Sequence, residues 1–323
     1  MPGPAEPRGL RPAAVDGGPT PAIFFLSDYG TVDEFVGVVH AVLHRLAPSR
    51  PVIDLSHQIP PFDVGAGAAL LVRCAPFLGA GVVLAVVDPG VGTPRRGVAI
   101  GVAGDGPTWL VGPDNGLLVP LATGLGGVDR VVLLDPQRSS RPTGPNASGR
   151  TFDGRDLFAP AAAHLALGGA AEALGSGIEP SSLARPAARP NHRDRVETLP
   201  DGPTVVITSV TWVDHFGNVQ LRLRPEVLEG IGLSVGGTAQ VMVERVAPRP
   251  GDGDATGPAG RSTPVRRVPA FGDLEGGELG LVLDSNGQMA LVLDQDSAAL
   301  HLHVRGPGDT IRISIRPVDE TGS

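Results

Sequence analysis

The rhythm of apolar and polar positions changes about two thirds of the way along the chain. In the first stretch, short apolar runs alternate with helical periods. AIFFLS (Ala22 to Ser27) is an apolar run closed by a polar residue, the pattern of a buried strand. DEFVGVVHAVLHRL (Asp33 to Leu46) has helical spacing and an acidic start that suits a helix N-terminus. PVIDLS (Pro51 to Ser56) predicts a short strand, VGAGAALLVRCAPFL (Val64 to Leu78) a helix whose Ala and Gly allow close packing, and GVVLAVVD (Gly81 to Asp88) a third strand. GVAIGVA (Gly97 to Ala103), TWLVG (Thr108 to Gly112) and DRVVLLD (Asp129 to Asp135) add strands, and LFAPAAAHLALG (Leu157 to Gly168) a helix. This alternation predicts an α/β domain, a mostly parallel sheet covered on both faces.

From Arg185 to Pro203 scattered prolines and charges break the pattern, and the segment reads as a linker. The segments beyond it are short, rich in Val and Leu, and separated by turn residues: TVVITSVTWVD (Thr204 to Asp214), VQLRLR (Val219 to Arg224), TAQVMVERV (Thr238 to Val246), ELGLVLD (Glu278 to Asp284), QMALVLD (Gln288 to Asp294) and ALHLHVRG (Ala299 to Gly306). They predict a smaller, mainly antiparallel β domain, sandwich or barrel, with Asn286-Gly287 as a hairpin turn. In the last of them His301 and His303 would share one strand face; with no third ligand nearby they read as structural. The expected organisation is a Pro- and Gly-rich disordered tail over residues 1–21, an α/β domain over 22–184, a linker over 185–203, and a β domain over 204–316 with a low-complexity, mobile loop over 247–264.

Composition removes several function classes. The formal net charge of -8 argues against a nucleic-acid partner. The chain contains no lysine, which excludes a lysine nucleophile or Schiff base. Its one cysteine, Cys74, permits neither an internal disulfide nor a multi-cysteine zinc site, and suits a reducing compartment such as the cytoplasm. No apolar run approaches the ~20 residues of a membrane span.

Ligands of open α/β sheets sit at the carboxyl ends of strands. The residues there are SDYG (Ser27 to Gly30), SHQIPPFD (Ser56 to Asp63), DPGVGTPRR (Asp88 to Arg96) and PDNGLL (Pro113 to Leu118), and each carries an acid. Singly they are ordinary turns, since Asp, Pro and Gly favour turns. GVGT lacks the lysine of a triphosphate-binding loop. His57 near Asp54 reads as a polar residue at a strand end more readily than as a hydrolytic pair. DHFGN (Asp214 to Asn218) could stack on and hydrogen-bond a flat heterocycle, or simply turn the chain.

Six motifs stand in one order: SDYGTVD from Ser27, VIDLSHQIPPFD from Val52, VDPGVGTPR from Val87, GPDNGLL from Gly112, TFDGRD from Thr151 and DHFGN from Asp214. In this the chain resembles the S-adenosylmethionine hydroxide adenosyltransferases, relatives of the enzymes that fluorinate and chlorinate the same substrate. The resemblance spans residues 22 to 305 and implies an α/β domain joined to a β-barrel. It also implies a homotrimer that binds S-adenosylmethionine between one subunit's N-terminal domain and the next subunit's C-terminal domain, with no cofactor and no metal. Water displaces methionine from the ribose 5′ carbon, giving adenosine and L-methionine. Asp28 then resembles the carboxylate on the ribose diol, and Phe62 an aromatic lining the pocket. Asp214 resembles the acid pairing with the methionine amino group, Phe216 and Asn218 the adenine-side aromatic and amide, and Ser285 a serine at the methionine carboxylate. Phe152 and Gly154 flank the remaining position.

Asp88 stands where the halogenating relatives carry tyrosine, and with Arg95 it matches the hydroxide branch. That branch carries a histidine between the Phe and Gly of T-F-x-G, where this chain has Asp153. Because a sulfonium leaves as a neutral thioether, no general acid is needed; a water held in line and a carboxylate to take its proton suffice. The expectation is that Asp88 orients the water, that Arg95 keeps Asp88 ionised, and that Asp153 replaces the histidine as a second ligand of the water, with a shifted pH profile. Two close carboxylates require an intervening cation, Arg95 or Arg155. A non-catalytic sensor of S-adenosylmethionine or adenosine, and a halogenase, are the alternative readings.

Overall fold

In the computed structural model the described residues are 20–104, 106–139, 151–186, 195–198, 202–244 and 262–315. The expected tail, most of the linker and nearly all of the 247–264 loop lie outside them. The chain divides into two compact units, the first ending at Ala187.

The first unit is built on a seven-stranded sheet. Its strands are β1 (Ala22–Ser27), β2 (Val52–Ser56), β3 (Gly81–Val86), β4 (Gly97–Val102), β5 (Pro107–Pro113), β6 (Val128–Leu134) and β7 (Gly175–Ile178), in the order β2-β1-β3-β5-β4-β6-β7. The pairings of β1 with β2 and β3, and of β3 with β5, are parallel. Three antiparallel pairings extend this parallel half through β4, β6 and β7.

The helices are α1 (Phe35–Leu46), α2 (Val64–Cys74), α3 (Val119–Gly124), α4 (Pro136–Ser139) and α5 (Ala159–Ala166). Both faces of β1 are buried, as its unbroken apolar run requires. Ile23 and Phe25 pack with Val39 and Leu43 of α1 and with the alanines of α5. On the other face Leu26 approaches Gly67 of α2, where a Cβ would stand 2.9 Å from Leu117. A glycine therefore lets α2 settle close to the sheet. Asp63 caps α2 by accepting a hydrogen bond from Ala66 N at 2.8 Å.

The second unit is a closed barrel. Its strands are β8 (Arg195–Thr198), β9 (Thr204–Val213), β10 (Val219–Leu221), β11 (Thr238–Glu244), β12 (Thr263–Arg267), β13 (Leu279–Leu283), β14 (Met289–Leu293) and β15 (Thr310–Ile315). Seven strands close the ring β9-β10-β14-β13-β12-β11-β15, because β9 is long enough to pair with β15 over its first half and β10 over its second. β8 adds to β9 from within the segment whose prolines suggested only a linker. Val206, Leu221, Val241, Leu281, Leu291 and Ile311 fill the interior. The hairpin joining β13 and β14 turns at Asn286-Gly287, with Gly287 at φ 73°.

Two short helices, α6 (Pro225–Gly230) and α7 (Ala298–Leu302), punctuate the barrel. α7 corrects the expectation of a strand at His301 and His303. Ser297 caps it by accepting from Leu300 N at 3.1 Å, and His303 ends it in the left-handed conformation at φ 56°. The two imidazoles therefore do not share a strand face.

Candidate active site

The sequence separates Asp88, Arg95 and Asp153, and the fold brings them together. Asp88 follows β3 and opens a glycine turn. Its Oδ1 accepts from Gly90 N at 3.2 Å, and Thr93 Oγ1 donates to Gly90 O at 2.6 Å. That turn carries Arg95 back over Asp88. The guanidinium Nε lies 2.9 and 3.0 Å from the two Asp88 oxygens and a terminal nitrogen completes the fork, the bidentate geometry that Arg supplies and Lys cannot. The same terminal nitrogen donates to Asp153 Oδ2 at 2.6 Å. The side chains of Asp88, Arg95 and Asp153 are 6%, 13% and 14% exposed, so this charge is held largely away from water. The guanidinium also stacks on Phe158, 5.0 Å from the ring centroid.

Burial works against the charged Arg95, but hydrogen bonds and charge from Asp88 and Asp153 outweigh it and push its pKa up. Among the described residues Arg95 alone bridges the two acids. Arg155, the other candidate for that place, pairs with its neighbour Asp156 at 2.7 Å and stacks on Phe152.

TFDGRD both opens a helix and carries a residue of this cluster. It starts a helix, since Gly154–Phe158 form one π-helical turn leading into α5, and the residue at its start faces Arg95. Gly154 is required there because a Cβ would fall 2.0 Å from the Tyr29 hydroxyl. Tyr29, Phe35 and Phe152 form an aromatic cluster with centroids 5.1 to 5.8 Å apart, in which Phe152 meets both other rings edge-to-face. Burial raises the Tyr29 phenol, and the charges of Asp28, Asp88 and Asp153 raise it further, which places it among the acids as a neutral donor. Tyr29 was not legible as part of this cluster; its place directly after Asp28 in SDYG was the available signal.

Asp28 sits beside this group. Its Oδ2 accepts from Phe62 N at 2.9 Å. Phe62 is in the left-handed conformation at φ 67°, a strain of about 1–2 kcal/mol that the hydrogen bond helps hold. The Phe62 ring itself is 70% exposed and available to a ligand. Burial raises the Asp28 carboxyl and the nearby Asp88 adds to the rise, although the backbone donors oppose it. Of the remaining strand-end acids, Asp63 caps α2, and Asp114 is held by Arg96 and by Ala184 N at 2.8 Å. Both brace loops.

The second unit carries the other predicted residues. Asp214 Oδ1 accepts from Phe216 N and Asn218 N, both at 2.9 Å, and Oδ2 from Asn218 Nδ2 at 2.9 Å. Gly217, at φ 83°, lets the turn close against Ser297, whose Oγ would meet a Cβ at 2.0 Å. Phe216 stands 76% exposed over a groove of about 480 Å³ lined with Asn218, Phe271, Leu293, Gln295 and Ser297. The last four were not legible as lining residues, because they lie far along the chain from Phe216 and only the folded barrel brings them beside it. Ser285 is exposed at the β13–β14 hairpin, at the far end of β14 from Leu293 and outside this lining.

The models of the SAM hydroxide adenosyltransferase N-terminal and C-terminal domains match residues 23–175 and 208–312. A protein named (R)-S-adenosyl-L-methionine hydrolase from Salinispora tropica is 44% identical over 92% of this chain and 98% of its own. One of the same name from Thermus thermophilus is 40% identical over 85% and 93%. A fluorinase from Nocardia brasiliensis is 25% identical over 92% and 98%. Among solved structures, an uncharacterized conserved protein from Thermotoga maritima superposes with a TM-score of 0.72 at 30% identity, covering 90% of this chain and 99% of that one.

Proposed function

The chain belongs to the SAM hydroxide adenosyltransferase family, and from that premise we propose that it hydrolyses S-adenosylmethionine to adenosine and L-methionine. One observation carries the chemistry: Arg95 clamps the largely buried carboxylates of Asp88 and Asp153 near Asp28. A water on Asp88 attacks the ribose 5′ carbon. The new C–O bond forms as the C–S bond breaks, its electron pair passes to sulfur, and methionine leaves as a neutral thioether. The water's proton passes to Asp88 and then to solvent. Two carboxylates sharing one guanidinium leave a local negative charge, which attracts the sulfonium and repels a competing halide. Asp28 accepts from the ribose diol, and Phe62 covers the sugar.

Phe216 stacks on adenine, with Asn218 hydrogen-bonding its edge. Three of the roughly four lone-pair directions of Asp214 are taken by its own turn, which leaves one for the methionine amino group. Ser285 meets the methionine carboxylate. The resemblance to trimeric enzymes supports a homotrimer in which this second group of residues comes from a neighbouring copy; sedimentation equilibrium tests it. No helix among the described residues is long and apolar enough to cross a membrane. The single cysteine supports a reducing cytoplasm as the place of action.

The deciding experiment is chromatography after incubation with the two sulfonium epimers of S-adenosylmethionine. Adenosine and methionine in equal amounts are expected, with the (R) epimer preferred, as the names of the relatives specify. Binding without adenosine would mark a sensor instead, and chlorinated adenosine in excess chloride would mark a halogenase.

A further inference from the structure

Apart from these acids, one cluster of titratable groups is left unused by the reaction. His40 on α1, Asp54 on β2 and His57 just beyond β2 present ligand atoms within 4.8 Å of one another, the only such set among the described residues. His40 Nε2 lies 2.8 Å and His57 Nε2 3.1 Å from the same oxygen, Asp54 Oδ1. We propose that His40, Asp54 and His57 form a binding site for a divalent transition ion, with zinc the best match to two imidazoles and one carboxylate.

The argument rests first on His57. It is only 6% exposed, and its Nε2 is buried without a hydrogen-bond partner, since the approach to Asp54 is close in distance but poor in angle. An orphaned buried nitrogen costs ~1–3 kcal/mol, and an ion placed between it and Asp54 removes that cost. The other ring nitrogen, Nδ1, lies 2.7 Å from Ser27 Oγ, and Ser27 is fully buried. An imidazole that ligates through Nε2 needs a proton on Nδ1 and an acceptor for it, and Ser27 Oγ is that acceptor.

Geometry agrees. Zinc–ligand bonds of about 2.0–2.1 Å in a tetrahedral site imply ligand separations of ~3.3 Å. The observed 2.8 and 3.1 Å need open by only a few tenths of an ångström. The Phe25 ring lies against both imidazoles, with centroids 6.0 and 4.6 Å away, and forms an apolar wall on the buried side. His40 and Asp54 are 35% and 43% exposed, so an ion has an entry path and room for a water as fourth ligand.

Such an ion would pin α1 to the end of β2. It would also fix the loop in which His57 O accepts from Gly30 N at 2.8 Å, and so would steady the turn bearing Asp28 and Tyr29. The site is separate from the acids around Arg95, and the proposal does not depend on the reaction assigned to them.

Titration calorimetry of untagged protein with Zn2+ tests it, with Mg2+ as the control that demands oxygen ligands. One Zn2+ per chain is expected, with a thermal midpoint that rises on binding and falls back with chelator. His40→Ala and Asp54→Asn, at partly exposed positions, are each expected to weaken binding at least ~100-fold, and Ser27→Ala ~10–100-fold. Co2+ gives a readout in the wild-type protein without any variant: strong visible bands of a four- or five-coordinate ion are expected. Absence of stoichiometric Zn2+ binding, wild-type affinity in both variants, or only the weak bands of octahedral Co2+ would each overturn the site.

Discussion

Asp88 and Asp214 occupy equivalent local positions, one in each unit, and are used differently. Each follows a strand and opens a turn closed by a glycine two or three residues on. Asp214 spends its oxygens on its own turn, accepting from groups two to four residues away. The turn is self-contained, and what it offers outward is the Phe216 ring. Asp88 is gripped by an arginine seven residues away that also holds an acid 58 residues further along. Local satisfaction yields a rigid display surface. Satisfaction over long separations yields a buried charge that exists only in the folded unit, which is where reactive carboxylates can be oriented at no cost during the reaction. On the proposed function, chemistry belongs with the first aspartate and recognition with the second.

The strongest test of that division is Asp88→Asn. It preserves shape and leaves Arg95 paired with Asp153, but removes the proton acceptor. We expect kcat/KM for S-adenosylmethionine to fall about 10³-fold, with adenosine affinity by calorimetry unchanged. Loss of adenosine binding in parallel would dissolve the distinction between the two sites.

Asp153→Asn should have a smaller effect. In the proposed mechanism Asp153, hydrogen-bonded to Arg95, acts through it as a positioning residue. Removing a charged partner worth ~1.5–3 kcal/mol should lower kcat roughly 10- to 100-fold while KM stays within twofold. Asp153→His, which restores the residue of the hydroxide branch, should recover most of the rate. If the asparagine variant lost stability and KM but kept kcat, Asp153 would be only a structural clamp.

Phe216→Ala tests the display side. Stacking of a base on an aromatic ring is worth about 1–3 kcal/mol, so KM should rise roughly 5- to 100-fold with kcat preserved. Because the ring is exposed and its turn is held by Asp214, the thermal midpoint should not move. A fall in kcat equal to the rise in KM would show that the second unit shapes the transition state as well.

The same contrast explains what could be read from sequence. Strands such as AIFFLS and turns such as DHFGN declare themselves because their cause is local: an apolar run, or an Asp followed by Gly and Asn. The association of Asp88, Arg95 and Asp153 was legible only through the order of motifs, and the Gly154 turn only in part, since nothing in TFDGRD shows that Tyr29 lies 2.0 Å from a would-be Cβ. ALHLHV alternates like a strand, yet Ser297 caps it into a helix, a case where one cap outweighs periodicity in a five-residue segment. His40 could not be joined to Asp54 and His57 at all. The contact depends on how α1 lies over β2, which no spacing encodes.

The smallest effect concerns Asp28, and it separates function from stability at one position. Its folded pKa is raised, chiefly by burial. The folded state therefore favours the protonated form. The stabilising contribution is complete below the ordinary carboxylate value of about 3.9 and is lost as pH rises through the raised folded value. Asn mimics the protonated form at every pH and can still accept from Phe62 N. Asp28→Asn should thus raise the thermal midpoint by a few degrees at pH 7 by scanning calorimetry, and the gain should vanish below about pH 3.9. The same variant should bind S-adenosylmethionine more weakly, because on the proposed function the ionised carboxylate grips the diol and attracts the sulfonium. In the wild type that grip should loosen as pH falls through the raised pKa of Asp28. A variant that is more stable and a poorer binder would mark Asp28 as a charge kept for the ligand against the preference of the fold. A lower midpoint at pH 7 would show instead that the carboxylate is there to hold Phe62 in its strained conformation, and would move Asp28 from the reactive side of the comparison to the structural one.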